Sequence, residues 1–170
     1  MGFFETWGQP EDIKPSDILA VTLFEDKLNE KLTLQEALLL LRSMNLLNIG
    51  ELAEQAISKK SGVKTCDRNT PNIDLVTGVQ IKHAMTNPIK NQPNLRKAHI
   101  SIAGTTAPIL AVITETITQE QYFLHIPFSA YRMLDGNTIA ITFDKYGNPG
   151  KSKWWNYQID SFEELCELAK

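Results

Sequence analysis

Cysteine is scarce: the 170 residues hold two, Cys66 and Cys166, a hundred positions apart. That spacing excludes a disulfide framework and a cysteine-spaced metal site, and a cytoplasmic protein is expected from it. No apolar run approaches the roughly 20 residues that a membrane span needs, so no membrane partner is expected. The opening Met1-Gly2-Phe3-Phe4-Glu5-Thr6-Trp7 lacks a basic stretch followed by an apolar one, so no secretory leader is expected either. Internal repeats, heptad arrays and low-complexity tracts are missing. Net charge is only −3, which does not announce a polyanionic partner. Acid, however, is absent from one place. Between Leu75 and Thr114 there is none, while Lys82, Lys90, Arg96 and Lys97 are present, with His83 and His99. A window of +4 in a chain of −3 supplies the local cationic face that phosphate contacts require; a basic loop arising by chance is an equal alternative.

What is present reads as a single domain of 170 residues, with 42% hydrophobic and 22% charged residues, ordinary values for a globular protein. Ser16 can cap a helix over residues 17–29, and Thr33 with Glu36 forms a capping box before an apolar helix over 34–44. These Leu-rich helices, within residues 1–48, suit core packing or a dimer surface. Residues 49–60 predict a helix stopped by Ser61-Gly62, with Leu52, Ala53, Ala56 and Ile57 as its apolar stripe and Glu54 on its flank. A short strand is expected at 63–66 and a flexible loop at 83–97, where Pro88 and Pro93 lie among Asn and Gln. Strands are expected at 98–103, at 108–118 (central and buried), at 122–126, at 137–143 and, on an edge, at 151–159. Between them, 130–134 predicts a short helical piece. Ser161 and Glu164 predict a capped closing helix.

The chemistry gathers in Asn72-Ile73-Asp74-Leu75-Val76-Thr77-Gly78-Val79-Gln80-Ile81-Lys82. Two short apolar strands are joined here by a tight turn. Gln80 and Lys82 are two apart and share a strand face. A three-residue loop, Val76-Thr77-Gly78, with Gly78 left-handed, would pair Asp74 with Gln80 and bring Asp74, Gln80 and Lys82 together. A carboxylate, an amide oxygen and an ammonium on one face suit a hard cation such as Mg²⁺ and the water bound to it. A hairpin whose outer face is merely polar is the bland alternative, and on the hairpin alone it is the commoner one.

The order of a helix carrying Glu54, a strand, Thr70-Pro71-Asn72-Ile73-Asp74 and then Gln80-Ile81-Lys82 resembles the PD-(D/E)xK nuclease superfamily. The nearest variety is the Mrr-type restriction nuclease, in which Gln replaces the usual second acid. Gly50-Glu51-Leu52-Ala53-Glu54 is similar to the Gly-x-x-Phe-Glu helix start of that family, with Ala53 in place of Phe. The resemblance spans about residues 50–126. It implies an α/β (α+β) fold, a mixed central sheet flanked by helices as in restriction endonucleases, here with an N-terminal helical extension. It implies a Mg²⁺-dependent endodeoxyribonuclease acting on double-stranded DNA as a homodimer and leaving a 5′-phosphate and a 3′-hydroxyl. Asp74 would be the central metal ligand. Gln80 would add its amide oxygen and Ile81 its carbonyl. Glu54 would ligate directly or through water, and Lys82 would orient the attacking water. The alternative is a catalytically inactive module on the same fold that binds DNA or a protein partner.

Lys90, Arg96, Lys97, Lys151 and Lys153 are the expected nucleic-acid contacts. Trp154 and Trp155 follow the last two and can stack on bases, although one ring in the core and one half-exposed is the commoner arrangement. Tyr131-Arg132 is a weaker candidate for a phosphate contact. His99 and His125 have no partner pattern, and His83 alternates away from Lys82.

Overall fold

A computed structural model describes residues 49–67, 70, 71 and 73–170. The helices expected within residues 1–48, and the dimer surface expected of them, lie outside the described residues.

The run Ile109-Leu110-Ala111-Val112-Ile113 explains the architecture. It holds no polar residue and no alternation, as in a strand covered on both faces. It forms β4 (Ile109–Thr114), the inner partner of two neighbours. In chain order the other elements are α1 (Ile49–Ser61), β1 (Gln80–Met85), β2 (Asn87–Ile89), β3 (Gln92–Ser101), β5 (Gln121–Ile126), α2 (Phe128–Tyr131), β6 (Thr138–Asp144), a 3₁₀ turn (Lys153–Tyr157), β7 (Gln158–Ile159) and α3 (Phe162–Glu167). One sheet has the order β1-β4-β5-β7, with β1 parallel to β4 and the other pairs antiparallel. A second, antiparallel sheet has the order β2-β3-β6. This is a mixed α+β fold with two sheets and few helices among the described residues.

The strand period of two divides β4 between two cores. Leu110 and Val112 face α1 and α3, packing with Ala53, Ala56, Ile57, Ile81, Phe162 and Leu165. Ile109, Ala111 and Ile113 face the second sheet, packing with Ala98, Ile100, Ile139, Ile141 and Phe143. Ile109, Leu110, Val112 and Ile113 are completely buried. At about 1.5–3 kcal/mol for each such side chain, this strand alone contributes several kcal/mol to stability. The layers are therefore helices, first sheet, second sheet.

Several elements follow their sequence signals. Gly62 closes α1 in a left-handed conformation (φ 76°), its N–H donating to Ser58 O at 2.9 Å. Ser161 Oγ accepts from Glu164 N at 3.1 Å and opens α3. Others do not. The segment 83–97, expected as a flexible loop, holds the end of β1, all of β2 and the first half of β3. Pro88 is accommodated because β2 is an edge strand, and Pro93 because it lies near the start of β3, beyond the end of β6. Asn91, left-handed at φ 67°, makes the turn between them. The edge strand expected over 151–159 is mostly the 3₁₀ turn, with two residues of β7 after it. The strand expected at 63–66 is reduced to one bridge, Thr65 with Leu75.

Candidate functional site

β1 is the end strand of its sheet, and one of its edges is free. The Gln80 N–H donates to Pro108 O on the β4 side. Backbone groups alternate sides along a strand, so the Ile81 N–H and carbonyl point to the free edge. There the chain doubles back. Leu75–Gly78 makes a tight turn, Gly78 N donating to Leu75 O at 2.9 Å, with Gly78 at φ 90°. The left-handed Gly78 is as expected, but a regular Asp74–Gln80 ladder does not form. The Asp74 and Leu75 N–H groups both donate to Val79 O, at 2.9 and 3.3 Å. The expected first strand of the hairpin is a bend held by the Thr65–Leu75 bridge.

The side chains nevertheless converge. Asp74 Oδ2 accepts from Ile81 N at 2.6 Å and from Gln80 Nε2 in a short contact. Gln80 is buried, and Asp74 and Lys82 are half-buried. Burial pushes the Asp74 carboxyl above its ordinary value, while the Ile81 N–H and the Lys82 ammonium pull the other way. The free edge thus carries a carboxylate, an amide, the strand's own Ile81 carbonyl and a lysine.

Glu54 is half-exposed on α1, next to the buried Ala53. Ile81 packs with α1, whereas Ala84, which shares a strand face with Gln80 and Lys82, packs with the second sheet. Glu54 and the Gln80–Lys82 pair thus belong to opposite sides of the first sheet. A site using all of them has to close around the free edge of β1. Among the described residues no three His, Cys, Asp or Glu side chains gather closely enough to hold an ion. The expected set has only two carboxylates, its other donors being amide and carbonyl oxygens.

The expected phosphate contacts divide. Lys90, Lys151 and Lys153 are exposed and Lys97 is half-buried. Arg96 is a correction. Its side chain lies inside, its Nε donating to Glu115 Oε1 at 2.8 Å and its guanidinium also reaching Thr86 Oγ1 at 3.2 Å and Thr116 Oγ1. The reason is strand alternation: Arg96 shares the inward face of β3 with Ala98 and Ile100. Its partner, Glu115, stands one residue beyond the acid-free window. Tyr131 is a second correction, being buried with its hydroxyl donating to Ala107 O. Trp154 is buried, and Trp155 stands edge-on to Tyr122 and Phe143 at 5.4 and 5.1 Å between centroids, so both rings serve the core.

Sequence reasoning missed the group around Glu115. Its carboxylate is fully buried and takes Thr86 Oγ1 at 2.7 Å, Ile117 N at 2.7 Å and Thr118 N at 2.8 Å besides Arg96. Burial alone would raise this carboxyl, yet the donors from Thr86, Thr118, Arg96 and Ile117 hold it at about 2. One signal was available: an acid two residues beyond a fully apolar run, Ile109 to Ile113, is drawn indoors with the strand and must find partners there. His83 Nε2 meets Thr114 Oγ1 at 2.8 Å, and Gln121 Nε2 donates to the same oxygen at 3.2 Å, a polar row on the α1 side of the sheet. No protein-family model, no curated protein and no solved structure matches this chain, so fold and site rest on their own geometry.

Proposed function

We propose that the chain is a Mg²⁺-dependent endodeoxyribonuclease, of the kind its Asp74 and Gln80-Ile81-Lys82 motif resembles, with the free edge of β1 as its centre. The observation that carries this reading is the meeting of Asp74 with Gln80 and Ile81, from two segments with no regular ladder between them. Asp74 Oδ1 would ligate the cation. Gln80, turned so that its oxygen rather than its nitrogen faces Asp74, would add a second ligand and the Ile81 carbonyl a third. Glu54 would contribute through a water around the edge. The bound ion would lower the pKa of a water and neutralise charge on the scissile phosphate. Lys82, two residues along the same strand face from Gln80, would hold that water and stabilise the phosphate in the transition state.

A second reading has an observation of its own. Asp74 Oδ2 covers the N–H of Ile81, which an edge strand otherwise leaves open to pairing, so the carboxylate also serves as an edge plug. On that reading the fold is an inactive module that binds DNA or a protein. Incubation with supercoiled plasmid and Mg²⁺ decides between them. The nuclease reading expects nicked and linear product that is lost in EDTA and reduced at least about a hundredfold in Lys82→Ala and in Asp74→Asn. Cutting that persists in Lys82→Ala removes the assignment. Binding of the plasmid without cutting by the wild type leaves the inactive module.

A further inference from the structure

One step of the chain stands apart chemically. Asp135-Gly136 is the only place in the 170 residues where an Asp or an Asn is followed by Gly. It lies in the link between α2 and β6, where Asp135, Gly136 and Asn137 form an exposed bend. The link is tied on both sides. Leu134 N donates to Tyr131 O at 3.0 Å before the bend, and Ile102 N donates to Asn137 O at 2.8 Å at its end. Between these ties, no hydrogen bond or ion pair among the described residues engages the Asp135 carboxylate or the Gly136 N–H. A Cβ built on Gly136 would meet nothing within 4 Å, and the φ of Gly136 lies outside the left-handed region.

An aspartyl side chain and the next residue's amide nitrogen are one bond short of a five-membered ring. Closure requires that nitrogen to reach the carboxyl carbon, so it is governed by how freely the pair can adopt the reacting geometry. A Cβ on the following residue crowds the approach, and hydrogen bonds to the carboxylate hold it away. The other aspartates among the described residues, Asp67, Asp74, Asp144 and Asp160, are followed by Arg68, Leu75, Lys145 and Ser161, all of which carry a Cβ. Asp144 also accepts from Tyr146 N, Asn148 N and Asn148 Nδ2 at 2.8–2.9 Å. Asp74 is held by Ile81 N and Gln80 Nε2. Asp135 has neither obstacle: its neighbour lacks a side chain, its carboxylate is unheld, and the bend around it is open to water.

We propose that Asp135 is a site of spontaneous modification, at which the folded protein converts its Asp135–Gly136 link to an isoaspartyl one. The Gly136 nitrogen attacks Cγ of the Asp135 carboxyl group. A C–N bond forms, and the carboxyl hydroxyl leaves with the amide proton as water, giving a succinimide. Water then adds to either ring carbonyl. Breaking the new Cγ–N bond restores aspartate. Breaking the original peptide bond leaves the chain running through Cγ, with the α-carboxyl group free. One water is lost and one regained, so the mass is unchanged and no other reactant is needed. The product has one more backbone carbon just ahead of Asn137 and β6. Cleavage of DNA plays no part in this chemistry.

The test is ageing of the full, folded chain at pH 6 and 37 °C, followed by trypsin and by mass spectrometry with electron-transfer fragmentation, which tells isoaspartate from aspartate. Trypsin releases residues 133–145, a peptide that carries Asp135 and Asp144 together, so each sample holds its own control. A second chromatographic form of unchanged mass is expected, with isoaspartate at least about tenfold more abundant at 135 than at 144, where even one hydrogen bond to the carboxylate corresponds to that factor. Gly136→Ala, which the open space accommodates, is expected to slow the conversion at least about tenfold by crowding the attacking nitrogen. Asp135→Asn closes the same ring with loss of ammonia and is expected to gain one mass unit at 135. Equal isoaspartate at 135 and 144, or a Gly136→Ala protein that ages like the wild type, overturns the site. So does a folded chain that converts more than about tenfold more slowly than the same chain in urea, since the bend would then be holding the pair apart.

Discussion

Glu115 offers the sharpest test of the packing logic, because its carboxylate is buried, ionised and surrounded by donors. In the unfolded chain a glutamate titrates near 4.5, whereas here the donors hold it at about 2. A carboxyl depressed on folding stabilises the protein fully above its unfolded value and loses that stabilisation as pH falls through the folded one. The shift of about 2.5 units corresponds to about 3 kcal/mol in total, of which about 2 kcal/mol is lost between pH 7 and pH 3. Glu115→Gln removes the titration. It also presents an NH₂ where one oxygen accepted, either to Arg96 and Thr86 or to the N–H groups of Ile117 and Thr118, donor against donor. It leaves the Arg96 guanidinium buried without its counter-charge, a loss of about 3–5 kcal/mol at pH 7. Urea unfolding of both proteins at pH 7 and pH 3 measures these quantities. The wild type is expected to lose about 2 kcal/mol more than Glu115→Gln between the two pH values, so that the gap between them narrows in acid. The same pH dependence in both would show that Glu115 is not the buried anion described, and a loss under 1 kcal/mol at pH 7 would show that the pair is dispensable.

Three further outcomes follow from the same geometry. Gly147 is left-handed at φ 88°, and a Cβ there would meet Glu115 Oε2 at 2.5 Å, so Gly147→Ala is expected to cost at least about 2 kcal/mol in urea unfolding. Cys166 is buried and its thiol is pushed up to about 12 by that burial, so a thiol reagent at pH 8 is expected to modify the half-buried Cys66 in the native protein and Cys166 only after denaturation; two fast equivalents in the native state would contradict the packing of α3. Ser161→Ala removes the acceptor for Glu164 N and is expected to lower stability by about 1 kcal/mol, read from the thermal midpoint.

What the sequence made legible, and what it did not, divides along one physical line. Signals complete within a few neighbours were read directly. The apolar run of β4 says that both faces are covered, Gly62 and Ser161 bound their helices, and Gly78 makes its turn left-handed. Signals whose meaning depends on which way a side chain faces were misread. Arg96 was counted in a cationic window, and one step of strand alternation turned it inward to an acid just outside that window. Pro88 and Pro93 looked like loop residues because their places, on an edge strand and beyond the end of a neighbour, exist only once strands are ordered into sheets. The candidate site falls between these cases. That Asp74 meets Gln80 was foreseen from the turn, but the ladder expected to bring them together is absent. The contact is made instead by a carboxylate reaching the one kind of N–H that an end strand leaves open. Edge position therefore gives Asp74 a structural reason to be where it is, and the same edge leaves the Ile81 carbonyl and Lys82 beside it. Capping the strand and holding a cation are compatible tasks for that carboxylate, and loss of cutting in Asp74→Asn with unchanged duplex binding would separate the chemistry from the cap.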